Sequence, residues 1–434
     1  MADGTKFQRV EYIKAYEKIE KLTDPGSFSQ IGAYMSDDNV LAGFATIDTR
    51  PLYIYCQYGS VTISHAEKIS RIYAMAVSMG SPIVSILDSE GLSMESGMDV
   101  LASYGEIFST MANASGVIPQ LSLIYGKCMG ANAVISGLSD FSFGLKDSRL
   151  FVQSPNTAED IKSVGLDNFM SAAYHFNESG QLNFLFDNEE AMNIGFKQFL
   201  SFMPSNNLEE VPILVGNDME FDTASLSAGM SPVELINALC DNDEYIELGA
   251  GYGSEIAAFL TRFDGCTTLT AVGCGELSRN SIDKLTKLAA FSNAFNIPIV
   301  TFTNTKGFKT GVSEQKHDIS AIAALSYALS NATVPKINII IGDAIGLSGL
   351  TFNSKFIGAD LVYAWSGANL ALFTKEAAKV LGVPDTSTDC ALKKGYVDEI
   401  IEPQDTRKYI IRAIDHLSTK RVSKHPKKHG SICF

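Results

Sequence analysis

Short apolar runs alternate along the chain with stretches whose apolar residues recur at helical spacing. Residues 65–80 show that helical spacing, and the run IVSIL directly after Pro82 predicts a buried strand. Residues 98–115 predict a second helix and residues 121–126 a second strand, after which a glycine-containing turn leads into a helix near Ala131. Strands that alternate with helices predict the α/β class, with a buried, mostly parallel sheet or stacked βαβ layers.

The same pattern occurs twice. The segment SPIVSILDSEGL at 81–92 is matched by IPIVTFTNTKGF at 297–308, and VIPQLSLIYGKCMG at 117–130 by TVPKINIIIGDAIG at 333–346. A separation of 216 residues is kept by Pro82 and Pro298, Pro119 and Pro335, Gly91 and Gly307, Gly126 and Gly342, Gly130 and Gly346, and Lys68 and Lys284. Shared strand–helix patterns alone would not keep one spacing over so many positions, so we infer an internal duplication.

The duplication predicts two structurally similar domains, residues 1–205 and residues 206–434. They are expected to join near 203–232, a polar segment with three prolines that is typical of a linker.

Composition narrows the class of protein. The 434 residues carry a formal net charge of -15 and are 46% hydrophobic, which indicates a globular chain and argues against binding to a phosphate backbone. No apolar run approaches the roughly 20 residues that span a bilayer, and the N-terminus has no signal-peptide core. Seven scattered cysteines without a CxxC predict a reducing, cytoplasmic location and no zinc ribbon.

The strongest candidate chemistry lies at one junction in each half, at residues 124–134 and 340–350. In both, a buried strand passes through a glycine turn into a helix, whose first amides have no intrahelical partner and whose dipole favours negative charge. The pair could therefore form two anion or oxyanion sites. The alternative is a tight turn that needs glycine only for steric reasons.

Other motifs favour no competing class. The glycine-rich segment 249–255 lacks the full GxGxxG order, and the sequence contains no P-loop, HExxH or suitable GxSxG. The basic tail at 420–430 is typical of a solvated terminus. Lys68 and Arg71 share a helical face and could meet a phosphate, although solvation at the surface is the commoner role.

Several segments, in this order, resemble the carboxyltransferase subunits of biotin-dependent acyl-CoA carboxylases and decarboxylases, of the propionyl-CoA carboxylase β and methylmalonyl-CoA carboxyltransferase types. They are EKIEKLTDPGSF (17–28), HAEKI (65–69), SYGEIF (103–108), SGVIPQLSLIYGKCMG (115–130), FMPSNNLEE (202–210), FNIPIVTFTNTKGF (295–308), ATVPK (332–336) and GADLVYAW (358–365). The resemblance covers nearly the whole chain. It implies two duplicated crotonase-like (ClpP/crotonase) βαβ spiral domains, the first on the acyl-CoA side and the second on the biotin side.

The resemblance also implies a mechanism and its residues. A carboxyl group would move between carboxybiotin on a partner and the α-carbon of a short acyl-CoA, through an enolate held by backbone amides. The catalytic amides would be those of Gly130 and Ala131 in the first oxyanion hole, and of Leu347 and Ser348 in the second. Substrate-binding positions would be Gly91, Cys128, Gly307 and Gly346, and no metal is expected.

The implied cofactors are biotin, carried on a partner protein, and coenzyme A as the thioester substrate, because the chain has no biotin-attachment motif and no ATP-binding loop. Expected partners are a biotin carboxyl carrier protein and a biotin carboxylase subunit. In the family the active site lies between the N-half of one protomer and the C-half of another, which implies a homodimer at minimum and often a hexamer. No nucleic acid and no membrane span are expected.

The chain departs from the family at both holes. Gly130-Ala131 stands where the family has paired glycines, and Leu347-Ser348 replaces a Gly-Ala pair, so Leu347 could narrow the biotin pocket. Two other hypotheses therefore stay open. One is a crotonase-type hydratase, isomerase or hydrolase with Glu90, Glu95 or Glu106 as the acid or base. The other is a divergent, non-catalytic subunit that keeps only the assembly surface.

Overall fold

The computed structural model describes residues 9–33, 39–92, 97–153, 166–214, 223, 225–311, 318–382, 388–427 and 430–431. The chain forms two compact units, Met1–Glu209 and Glu210–Phe434. The boundary between them lies inside the proline-containing segment 203–232.

The described residues of the first unit form one eight-stranded sheet in the order β1-β2-β3-β4-β5-β6-β8, with β7 beside β5. The strands are β1 Ser29–Gln30, β2 Val40–Ile47, β3 Arg50–Val61, β4 Ile83–Leu92, β5 Gln120–Met129, β6 Phe141–Leu145, β7 Arg149–Phe151 and β8 Phe184–Phe186. The helices are α1 Val10–Leu22, α2 Ile63–Met79, α3 Gly97–Ala114, α4 Ala131–Leu138, α5 Leu166–Phe169, α6 Ala172–Asn177 and α7 Glu189–Phe202.

The second unit repeats this sheet in the order β9-β10-β11-β12-β13-β14-β16, with β15 beside β13. The strands are β9 Tyr245–Glu247, β10 Ile256–Phe263, β11 Cys266–Leu277, β12 Ile299–Phe308, β13 Lys336–Ile345, β14 Leu361–Trp365, β15 Asn369–Ala371 and β16 Glu399–Ile401. The helices are α8 Pro232–Asn237, α9 Arg279–Ala294, α10 Asp318–Asn331, α11 Gly346–Thr351, α12 Lys375–Leu381, α13 Thr388–Lys393 and α14 Thr406–Leu417. Short 3-10 turns lie at Asp241–Asp243, Lys355–Ile357 and Pro403–Asp405.

The duplication is confirmed strand by strand. Strands β2, β3, β4 and β5 each begin and end 216 residues before β10, β11, β12 and β13. The pairing repeats as well, because β2 and β3 are antiparallel while β3, β4, β5 and β6 run parallel, and their counterparts do the same. The sequence-predicted α/β class with two related, mostly parallel sheets is therefore correct.

The central strands are buried on both faces. Ile83, Val84, Ile86 and Leu87 of β4 are all fully inaccessible. Such strands carry continuous apolar runs because neither face of a parallel sheet meets water. This explains why IVSIL and its counterpart IVTF show no alternation of apolar and polar residues.

The repeated lysines are structural, which corrects one sequence-based expectation. Lys68 is 1% exposed, and its Nζ donates to the carbonyl of Val40 at 3.1 Å. Lys284 is similarly buried and donates to the carbonyl of Gly249 at 3.2 Å. The assignment of Lys68 to the solvated surface is wrong, since its stem crosses the core and its ammonium group reaches a backbone carbonyl, whereas Arg71 is exposed. Burial lowers the pKa of Lys284 to about 8.

Candidate active site

The two candidate turns follow a local widening of each sheet. In the first unit Leu87 pairs with Ile124, but Ser89 pairs with Cys128, so three residues of β5 face the single residue Asp88. The second unit repeats this shift, because Thr303 pairs with Ile340 and Thr305 with Ala344. Each wide step lies immediately before the glycine turn and helix of its unit.

Gly130 forms the first turn. Its φ of 62° and ψ of -130° are unfavourable for residues with a side chain, which explains why glycine is needed. Its amide donates to the carbonyl of Phe151 in β7 at 2.8 Å. The amide of Gly130 is therefore engaged in the fold, which differs from the expectation that it donates to an oxyanion.

Helix α4 begins at Ala131, so the amides of Ala131 and Asn132 precede the first intrahelical donor. The amide of Ala133 already donates to the carbonyl of Gly130 at 3.1 Å. Asn132 is fully buried, and its Oδ1 accepts a hydrogen bond from the hydroxyl of Tyr104 at 2.9 Å. Packing of Asn132 therefore anchors the helix terminus that presents the amide of Ala131.

Gly91 brings the end of β4 against this turn. A Cβ at Gly91 would lie 3.2 Å from the carbonyl oxygen of Met129, and its φ is +96°. The amide of Gly91 lies 3.2 Å from Ser89 Oγ, to which it donates. The close approach of the two backbones explains why a glycine is needed here, and it places Gly91 beside the Gly130 turn as expected for a substrate-binding position.

Cys128 does not line this site. Its side chain is fully buried in the core of the first unit, where it packs with residues such as Tyr104 and Ile124. Burial and the nearby charge of Asp88 raise the pKa of the thiol. The assignment of Cys128 to substrate binding differs from the structure, because the sulfur has become part of the apolar core.

In the second unit Gly346 occupies the equivalent turn, with a φ of +55°, and a Cβ there would lie 3.0 Å from the carbonyl oxygen of Leu372. Leu347 is 52% exposed, whereas Ser348 is fully buried. The hydroxyl of Ser348 donates to the carbonyl of Ile345 at 2.9 Å. Gly307, with a φ of +140°, has open space where a side chain would lie.

An apolar cavity of about 570 Å³ adjoins the second turn. Its wall includes Leu347, Leu350, Leu370, Leu372, Phe356 and Tyr396. Polar groups are few: Ser354 Oγ, which has no hydrogen-bond partner among the described residues, and Asn338 both line it. An apolar pocket with a few placed polar groups is typical of a small-molecule site.

Charge distinguishes the two turns although their backbones match. Lys127 of β5 pairs in register with Arg149 of β7. At the same place in the second unit Asp343 pairs with Asn369, whose Nδ2 donates to Asp343 Oδ1 at 2.9 Å. The first turn is therefore flanked by two cations, and the second by an acid held by an amide.

The acidic residues considered for a hydratase are not brought to the first turn where they can be described. Glu106 is exposed on α3. Glu95 lies outside the described residues, as does the side chain of Glu90. Sequence reasoning also missed Ser354 and Asp88, although the repeated Gly126 and Gly342 were a signal of something packed against the ends of β5 and β13.

Comparison with known proteins identifies the class. The carboxyl transferase domain family matches residues 14–381, and the chain belongs to this family. The α subunit of methylmalonyl-CoA decarboxylase from Veillonella parvula is 34% identical, over 96% of this chain and 92% of that protein. The β chain of propionyl-CoA carboxylase from Roseobacter denitrificans is 30% identical, over 97% and 93% respectively.

A solved structure agrees with these relatives. The transcarboxylase 12S hexamer, crystallised with hydrolysed methylmalonyl-coenzyme A, superposes with a TM-score of 0.92 at 29% identity, over 97% of this chain and 92% of that one. The duplicated crotonase-like fold expected from the sequence is confirmed. Among the described residues, no helix combines the length and apolarity needed to cross a membrane.

Proposed function

We propose that this protein transfers a carboxyl group between carboxylated biotin on a partner protein and the α-carbon of a short acyl-CoA. The observation that carries the proposal is the pair of matched junctions, in which a strand passes through a glycine turn into a helix terminus. Family membership and relatives named for methylmalonyl-CoA and propionyl-CoA support it.

The first unit is proposed as the acyl-CoA side. Its turn is flanked by Lys127 and Arg149, and coenzyme A carries several phosphate charges, so this is the unit whose local charge suits the substrate. The amide of Ala131 would donate to the thioester oxygen as negative charge develops there. A preorganised donor of this kind contributes about 3–4 kcal/mol to transition-state stabilisation in other enzymes. Gly91 would let the substrate approach the backbone closely.

The second unit is proposed as the biotin side. Its cavity of about 570 Å³, with apolar walls and the unpartnered Ser354 Oγ, fits a compact ring system that carries a hydrogen-bonding group. Carboxylated biotin would supply the carboxyl group and, once that group has left, the base for the α-proton. Gly346 and the amides of Leu347 and Ser348 would orient the ring, and Leu347 would limit access to the cavity.

The carrier protein and a biotin carboxylase subunit are proposed partners. We also propose that copies of the chain associate as a dimer or a larger ring, supported by the hexamer assembly of the related 12S protein. Analytical ultracentrifugation tests this directly. A monomer at micromolar concentration would contradict it.

The decisive experiment incubates the protein with methylmalonyl-CoA and free biotin and follows propionyl-CoA by mass spectrometry. A second arm supplies a carboxylated carrier domain with acetyl-, propionyl- or butyryl-CoA. We expect biotin-dependent loss or gain of a carboxyl group. If neither direction proceeds with any of these substrates although calorimetry shows thioester binding, carboxyl transfer is excluded for them and the non-catalytic alternative is favoured.

A further inference from the structure

The wide step in each sheet is filled by one side chain. In the first unit Asp88, at the end of β4, faces Tyr125, Gly126 and Lys127 of β5. Its Oδ1 accepts a hydrogen bond from the amide of Lys127 at 3.2 Å, an amide that the interrupted register leaves outside the regular ladder. The carboxylate therefore takes the place of a backbone acceptor at this step.

Gly126 shows how closely the carboxylate is packed. A Cβ built at Gly126 would overlap Asp88 Oδ1, so a side chain at either position excludes the other. Asp88 Oδ2 forms an ion pair with Lys18 of α1 at 2.6 Å, and the same ammonium lies 5.2 Å from the centre of the Tyr125 ring. The carboxylate is thus held from α1 and β5 together.

The second unit repeats the arrangement without the charge. Asn304 stands 216 residues after Asp88, and its Oδ1 accepts from the amide of Asp343 at 3.0 Å. A Cβ at Gly342 would overlap the same Oδ1. The amide Nδ2 donates to the carbonyl of Ala228 at 3.2 Å. The feature common to both units is therefore the side-chain oxygen and the strand amide it accepts from.

We propose that Asp88 and Asn304 are positioning residues, each of which sets the path of its strand into the glycine turn through one accepted hydrogen bond. After Lys127 the strand must return to register at Cys128 before Gly130 turns the chain into α4. Loss of the acceptor leaves the amide of Lys127 without its partner and lets the turn shift. The kinetic part of this inference rests on the proposed carboxyl transfer, and the structural part does not.

Hydrogen–deuterium exchange tests the structural part directly. In Asp88→Ala we expect faster exchange in peptides that cover residues 124–138, whereas Asp88→Asn, which keeps the oxygen, should exchange like the parent protein. Lys18→Met removes the ion pair but not the acceptor and should also leave exchange unchanged. Faster exchange in Asp88→Asn or Lys18→Met equal to that in Asp88→Ala would overturn the proposal, as would unchanged exchange in Asp88→Ala.

The second unit supplies an independent set. Asn304→Ala should speed exchange in peptides covering residues 340–351, and Asn304→Asp should restore it, so the proposal is still decided if Asp88→Ala does not fold. In the transfer assay, Asp88→Ala should lower kcat by about tenfold to a hundredfold with little change in KM, and Asp88→Asn should recover most of the loss. A parent protein without transfer activity would refute the proposed function, while the exchange results would still decide whether the two residues position the turns.

Discussion

The amide of Gly130 donates a hydrogen bond to the carbonyl of Phe151 at 2.8 Å. This contact ties the first turn to the short strand β7 and leaves Ala131 as the first amide of the helix terminus that can face a ligand. The distinction cannot be read from the order Gly-Ala in the sequence, because it depends on a strand twenty residues further along.

Ala131→Pro removes that amide and little else. Proline is well tolerated at the first position of a helix, where its missing N–H has no intrahelical role. We expect a loss of about 100-fold to 1,000-fold in kcat, as for removal of an oxyanion donor in other enzymes, with a small change in the urea midpoint. Ala131→Ser keeps the amide and is the matched control. Equal activity of the two variants would exclude Ala131 as the donor.

Gly130→Ala tests the backbone requirement of the turn. The change meets no atom within 4 Å, so its cost comes from the positive φ of 62° alone. Conformations of this kind cost about 1–3 kcal/mol, and a lower urea midpoint should report this. Gly137→Ala, in the middle of the same helix, has a negative φ and open space and should instead stabilise by about 0.5–1 kcal/mol. A Gly130→Ala protein as stable as its parent would contradict the strained turn.

Leu347→Trp tests the role of the second cavity. The side chain is half exposed at the cavity wall, so a larger ring should obstruct entry without unpacking the core. We expect a raised KM for free biotin in the transfer assay and an unchanged calorimetric affinity for methylmalonyl-CoA. Val380→Trp, at a highly exposed position of the same unit that does not line the cavity, controls for the added surface area. Weaker methylmalonyl-CoA binding in Leu347→Trp would assign the cavity to the thioester instead.

Lys284 gives a prediction for pH. Burial lowers its pKa from 10.5 in the unfolded chain to about 8 in the folded protein. Between these values the unfolded chain binds more protons, so the free energy of unfolding rises with pH across this window, and below pH 8 the burial penalty is constant. Relative to Lys284→Met, the parent protein should gain about 1–3 kcal/mol between pH 8 and 10.5.

Urea titrations at several pH values measure this difference. Lys287→Met, at an exposed position of the same helix, provides the control. A difference between Lys284→Met and the parent protein that stays constant with pH would show that the buried ammonium does not titrate in this range.

Much of the fold could be predicted from the sequence because burial leaves a direct trace in it. The run after Pro82 and its copy after Pro298 are apolar since β4 and β12 are covered on both faces, and the constant spacing made the second unit an expected copy of the first. Lys68 was misjudged because local spacing cannot show that a long side chain crosses the core to reach Val40.

The site was predicted only in part, for a different reason. Its glycines were found because positive φ and close approach demand a particular residue type, as at Gly91 and Gly346. The cavity was not, since its wall combines the turn with residues 354–396, which share no spacing with it. The role of Asp88 was equally hidden, because a side chain that replaces a ladder acceptor leaves no periodic pattern.

The matched register of the two turns, with Lys127 beside Arg149 in one and Asp343 beside Asn369 in the other, has a consequence for how the protein responds to its medium. Interactions between exposed charges fade over about 10 Å at 0.1 M ionic strength. Added salt should therefore weaken capture of a polyanion at the first turn and leave a neutral ring at the second untouched. Ionic strength would then act as a selective control that separates the two half-reactions of one duplicated scaffold.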